Sequence, residues 1–130
     1  PYPVNGRPYF DGGIADPVPY RRALEDGGSR VLVLLTRPRS FVRPPLKHTK
    51  IMAAAMTSYP KAWAALQRRH EVYNRQVAEV KELEAQGRAL LLGPADIEGM
   101  STLRHNDFAM ERLYGYGYQD GRKAAAFLAG

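Results

Sequence analysis

Three kinds of side chain in this 130-residue chain could carry acid-base, nucleophilic or metal chemistry, and one of them stands in a setting that suits it. The histidines, His48, His70 and His105, form no ligand-like pair at i, i+4 helical spacing. With no cysteine present, a zinc site would need carboxylates in a pattern the sequence lacks. His70 falls on the apolar face of a long helical segment and reads as a hydrogen-bonded structural group. Ser29, Ser40, Ser58 and Ser101 all lack the flanking glycines of a G-x-S-x-G elbow, and the glycine patterns that cradle nucleotide phosphates are missing. Asp11 remains. The strand formers Tyr9 and Phe10 precede it, and Gly12 and Gly13 follow, which places a carboxylate at a strand end where other groups can approach the backbone closely. Such a carboxylate could accept a serine proton as general base. Asp-Gly turns are common, so the tripeptide taken alone reads more readily as a simple turn former. No metal or organic cofactor is expected.

The elements that must position Asp11 follow from periodicity and breakers. A short helix is predicted from Pro19 to Asp26, stopped by Gly27 and Gly28, with Asp16 as its cap. The apolar run Arg30–Thr36 predicts a strand covered on both faces, as in a parallel sheet. Residues 37–50 carry three prolines and read as a loop, and residues 51–57 fit two helical turns. Ser58 can cap the next helix, with Pro60 in its first turn. Trp63, Leu66, His70, Tyr73, Val77, Val80 and Glu84 then recur at spacings of three and four, the mark of a helix with one mostly apolar face. Gly87 should end it in a left-handed cap. Arg88–Leu92 predicts a second buried strand, and strand, helix and strand together predict a parallel crossover. Asn106 or Asp107 can cap a helix to about Tyr114, which Gly115 and Gly117 should interrupt before a last helix over 118–128.

The length suits one domain over residues 1–130. With 45% hydrophobic and 25% charged residues the composition is that of a folded chain rather than a disordered one. No apolar run approaches the roughly 20 residues of a membrane-spanning helix, and no signal peptide opens the sequence. A cytoplasmic or peripheral-membrane location is expected. The net charge of +6 is uneven: no acidic residue occurs from Gly27 to His70, a stretch containing Arg30, Arg37, Arg39, Arg43, Lys47, Lys50, Lys61, Arg68 and Arg69. That block reads as a solvated basic surface or a site for anionic lipid or nucleic acid. The opening on Pro1 suggests a fragment.

The run from Tyr9 through Asp11, Gly12 and Gly13 to Pro17, Val18 and Pro19, followed by Ala23, Gly27 and the strand VLVLLT, resembles the aspartate block of patatin-like phospholipases. Tyr59-Pro60, then Arg69-His70-Glu71-Val72-Tyr73-Asn74, Pro94, Leu113-Tyr114 and Gly117-Tyr118 look like the bacterial branch of that family. The resemblance implies an α/β fold, part of a three-layer α/β/α sandwich with a mainly parallel sheet. It also implies an esterase dyad in which a G-x-S-x-G serine attacks an ester carbonyl and an aspartate activates it. Asp11 matches that catalytic aspartate, with Gly12 and Gly13 shaping the active-site loop. The serine elbow and its oxyanion loop are absent here. The expected partners are therefore a lipid or ester substrate, the N-terminal half of the same protein, an anionic membrane at the periphery, and further copies of the chain through an unpaired sheet edge; nucleic acid is not expected. Arg69, His70, Tyr73 and Asn74 are expected to anchor the long helix to the sheet. A non-catalytic basic module binding anionic membrane or nucleic acid is the alternative.

Overall fold

A computed structural model describes residues 1–100 and 106–129. The chain divides into two compact units, one formed by Pro1–Pro19 and Val42–Glu79, the other by Tyr20–Phe41 and Val80–Gly130.

The first unit opens with a hairpin. Strands β1 (Tyr2–Val4) and β2 (Arg7–Tyr9) pair antiparallel with Tyr2 opposite Tyr9 and Val4 opposite Arg7. Asn5 and Gly6 join them with φ of 49° and 76°. A tight two-residue turn that follows the strand twist needs positive φ at both positions, and Asn-Gly supplies it at least cost. A single 3-10 turn at Gly12–Ile14 comes next, capped by Asp11. Helix α2 (Thr49–Ala55) follows the proline-rich connection, and α3 (Pro60–Ala85) follows it with Tyr59 at the cap position and Pro60 first in the helix, where its missing N–H costs nothing. Residues of α3 at spacings of three and four turn inward, so that Tyr73, Gln76 and Val77 are buried in this unit. Phe10 packs edge-on against Tyr59 with ring centroids 5.1 Å apart.

The second unit holds α1 (Tyr20–Glu25), β3 (Val31–Leu34), the last residues of α3, β4 (Ala89–Leu92) and α4 (Asp107–Ala129). Gly27, at φ 100°, ends α1. A Cβ on Gly28 would stand 2.8 Å from the Ala23 carbonyl oxygen, so this turn excludes any larger residue. β3 and β4 pair parallel with Val31 opposite Ala89 and Leu34 opposite Leu92, as the crossover pattern predicts. Val31, Val33, Ala89, Leu91, Leu92 and Val80 form the core, Leu91 and Val80 with no exposed surface.

Three expectations need correction. The β3 strand is not covered along its whole length: Leu34, at its C-terminal end, is 68% exposed, although Leu91 and Leu92 of the neighbouring strand, which point to opposite faces, are both buried. Gly115 and Gly117 do not break the last helix. α4 is continuous, since interior glycine costs about 1 kcal/mol without forbidding helical φ, and neither residue takes positive φ. Asp11, expected from the resemblance at the rim of a mainly parallel sheet, instead follows a strand of the antiparallel pair. The architecture is thus mixed α/β with a small parallel sheet.

Candidate active site

Asp11 is exposed, follows β2, and accepts a 2.9 Å hydrogen bond from the Gly13 N–H through Oδ1. This cap orients the carboxylate, and no ion pair engages it among the described residues. A Cβ on Gly12 would meet nothing within 4 Å, so the space beside the carboxylate is open. At Gly13 a Cβ would lie 3.3 Å from Asp11 Oδ1 and 3.4 Å from Arg69 Nη2, so a side chain here would crowd both the carboxylate and the α3 arginine. The three residues singled out in the sequence therefore do form one structural element.

Asp16 does not cap α1. Its Oδ1 accepts from Gln76 Nε2, and Gln76 Oε1 in turn accepts the Val18 N–H at 3.0 Å. A buried amide with both ends satisfied pins residues 16–18 to α3, and the competing partner explains the missing cap. Asn74 plays the same part for the loop, accepting from Arg43 N at 2.8 Å and donating to Arg43 O at 3.0 Å. The Arg43 guanidinium lies 4.8 Å from the Tyr73 ring centroid. Asn74 and Tyr73 thus anchor a loop, where an anchor to the parallel sheet was expected. Arg43, Pro44, Leu46, Leu66, Arg69 and His70 line a pocket of about 70 Å³ in this unit. Arg69 Nε is buried and donates to no acceptor among the described residues. The His70 Nδ1 pairs with the Gln67 carbonyl at 3.0 Å, the structural bond expected of it. The pocket was not foreseen; its one sequence signal is the acid-free stretch ending at His70.

In the second unit, Leu32, Leu34, Leu92, Leu113, Tyr116 and Gly117 are among the residues lining an apolar cavity of about 340 Å³. At one side, Asp96 accepts from Tyr116 Oη at 2.7 Å and from Arg112 Nη2 at 2.8 Å. The tyrosine hydroxyl chiefly, then the Glu98 N–H and the Arg112 charge, hold the Asp96 carboxyl below the usual range; burial opposes them. The same bond pushes the Tyr116 phenol up.

No group of histidine and carboxylate side chains able to hold a metal occurs among the described residues. His105 and Ser101 lie outside them. Several arginines of the basic stretch have partners: Arg30 lies over Phe127, Arg37 over Phe41, and Arg39 pairs with Glu84. Lys47, Lys50 and Lys61 face solvent. No described helix is long and apolar enough to cross a membrane.

No curated protein and no solved structure matches the chain. One family model, a domain of unknown function (DUF6363), matches residues 59–128, from the cap of α3 through α4 and without Asp11. That match covers more than half of the sequence, and the chain belongs to the DUF6363 family.

Proposed function

We propose that this chain is the C-terminal portion of a patatin-like serine acyl hydrolase, a phospholipase or esterase, and that Asp11 is its general base. The observation that carries the reading is the state of Asp11: exposed, oriented by the Gly13 N–H, and held by no ion pair. A base must be fixed in direction yet keep a lone pair for the proton it takes, and Oδ2 meets that need.

The parallel β3–β4 pair supports a place in a larger sheet. Leu91 presents its N–H and carbonyl on the outer edge of β4, and side chains meet both: Glu84 Oε1 accepts the N–H at 2.9 Å, and Arg39 Nη1 donates to the carbonyl at 2.9 Å. That edge is closed. β3 has β4 as its one strand neighbour among the described residues, with Leu34 exposed beside it. Parallel strands are normally covered on both faces, so we place the further strands and the outer layer of a three-layer α/β/α sandwich on the β3 side in the parent protein.

In that parent, the serine Oγ attacks the ester carbonyl while Asp11 takes its proton. The tetrahedral intermediate expels the alcohol, which receives the proton from Asp11. Water then attacks the acyl-serine, gives its proton to Asp11, and the carboxylic acid leaves as the serine is reprotonated. The oxyanion donors come from outside this chain.

Asp11→Asn separates catalysis from folding, because the amide oxygen still accepts from Gly13 while the base is lost. In the full-length parent we expect this variant to lose at least about a thousandfold in kcat/KM on short-chain esters at unchanged thermal stability. Retention of the parent rate would end the assignment.

A further inference from the structure

We propose that Arg43, Arg69 and His70 form a binding site for a phosphoryl group. The site stands on the first unit alone, whether or not Asp11 serves a serine.

The case begins with Arg69. Its Nε–H is buried and meets no acceptor among the described residues, an arrangement that costs more for a charged donor than for a neutral one. The side chain is nevertheless held there, since Arg69 leaves α3 between the Gly13 turn and the pocket wall. Arg43 also lines the pocket and is fixed there: Asn74 bonds its backbone N–H and carbonyl, and its guanidinium lies 4.8 Å from the Tyr73 ring centroid. The planar Arg69 guanidinium brings a fork-shaped set of donors, the geometry that recognises tetrahedral oxyanions, and Arg43 adds a second positive charge to the same pocket wall.

His70 narrows the choice of anion. With Nδ1 engaged by the Gln67 carbonyl, its other ring nitrogen stands 4.0 Å from a Glu71 oxygen, beyond hydrogen-bond length. When neutral, that nitrogen is an acceptor and suits a P–OH; when protonated, it is a further donor. A monohydrogen phosphate or a phosphate monoester presents both kinds of oxygen, whereas a carboxylate presents acceptors only. The volume of about 70 Å³ fits a group of that size; pockets for whole drug-sized ligands run from about 300 Å³.

The phosphoryl group could belong to a soluble phosphate or to a lipid headgroup, and a titration separates them. The purified chain, labelled with nitrogen-15, is titrated at constant ionic strength with inorganic phosphate, glycerol 3-phosphate and acetate, while the Arg69 Nε–H and backbone signals are followed. Binding to neutral phosphatidylcholine vesicles with and without phosphatidic acid is measured in parallel. We expect saturable shifts of the Arg69 Nε–H with phosphate and glycerol 3-phosphate and none with acetate. Arg69→Gln and Arg69→Lys should each weaken binding by about tenfold or more, because lysine keeps the charge but not the fork. Arg68→Gln, which removes the same charge from an exposed neighbour, should change affinity by less than about twofold. Tighter binding to phosphatidic acid vesicles that Arg69→Gln abolishes assigns the site to a lipid headgroup; affinity confined to the soluble anions assigns it to free phosphate. Circular dichroism establishes that the variants fold, and Arg43→Gln, which removes the second positive charge and should also weaken binding, serves should Arg69 variants misfold. An equal response to acetate, no saturation with any anion, or equal losses for Arg68→Gln and Arg69→Gln would overturn the proposal.

Discussion

Asp11 keeps one carboxylate oxygen on the Gly13 N–H and the other clear, whereas Asp16 is taken up by Gln76, and Asp96 by Tyr116 and Arg112. Partner sets of this kind decide what each carboxylate can do: Asp96 has both oxygens engaged, Asp16 gives one oxygen to a side-chain amide that pins it to α3, and Asp11 gives one oxygen to its own turn and keeps the other clear for proton transfer. Asp96 instead makes stability depend on pH. Because its folded-state pKa is depressed, the folded chain binds fewer protons than the unfolded chain once pH falls below the ordinary value of 3.8. Its contribution is complete above that value and is lost as pH falls through the folded pKa. Tyr116, raised from 10.0, acts at the other end: its contribution is complete below 10.0 and is lost as pH rises through the folded value. Urea unfolding at pH 6 and pH 3 should therefore show a smaller acid loss for Asp96→Asn than for the parent sequence. Equal losses would mean that the bond to Tyr116 does not discriminate between the two protonation states. None of these pairings is visible in the sequence. Asp96 and Tyr116 stand 20 residues apart, and Asp16 and Gln76 stand 60 apart, so spacing offers no sign that they meet.

At the scale of elements, Glu84 sits on the mostly apolar face of α3, where a carboxylate looks out of place until β4 is considered. It accepts the Leu91 N–H and pairs with Arg39, which itself donates to the Leu91 carbonyl, so one side-chain pair closes a strand edge. Glu84→Ala leaves that N–H without an acceptor in a partly buried place and should cost about 1–3 kcal/mol in urea unfolding. Glu84→Gln retains the acceptor and should cost about half as much or less. If both variants unfold at the parent midpoint, the edge is held by other means. α1, α3, β3, β4 and the parallel pairing are legible in the sequence because their signals are local: apolar runs, three-four spacing, and glycines at positive φ after α1 and α3. The β1–β2 hairpin also has a local signal, Asn5-Gly6, but its strands carry Pro3 and Pro8 and bury no face, which mutes the pattern. The continuity of α4 through Gly115 and Gly117 is the reverse case: a propensity too weak to break a 23-residue helix reads as a break.

At the scale of the whole molecule, charge and chemistry point in different directions. The excess of +6 is drawn largely from the stretch between Gly27 and His70, yet Arg30, Arg37 and Arg39 lie against rings or a carboxylate of their own chain. Those arginines support the fold of each unit, which leaves fewer of them for phosphates along a nucleic acid. The acyl-transfer chemistry proposed for Asp11 needs three parts: a nucleophile, donors for the oxyanion, and a base. The sequence supplies the base alone, since Ser29, Ser40, Ser58 and Ser101 stand outside any glycine-flanked elbow. Removing donors or nucleophile from such a site costs orders of magnitude each, and a base without either cannot form the covalent intermediate. The purified 130-residue chain should therefore turn over a short-chain chromogenic ester no faster than the buffer blank. Supplying the serine-bearing part of the proposed hydrolase, in one chain or as a separate fragment, should restore turnover. A rate above the blank that Asp11→Asn abolishes would mean that the chain holds its own nucleophile and is a complete catalyst of another design.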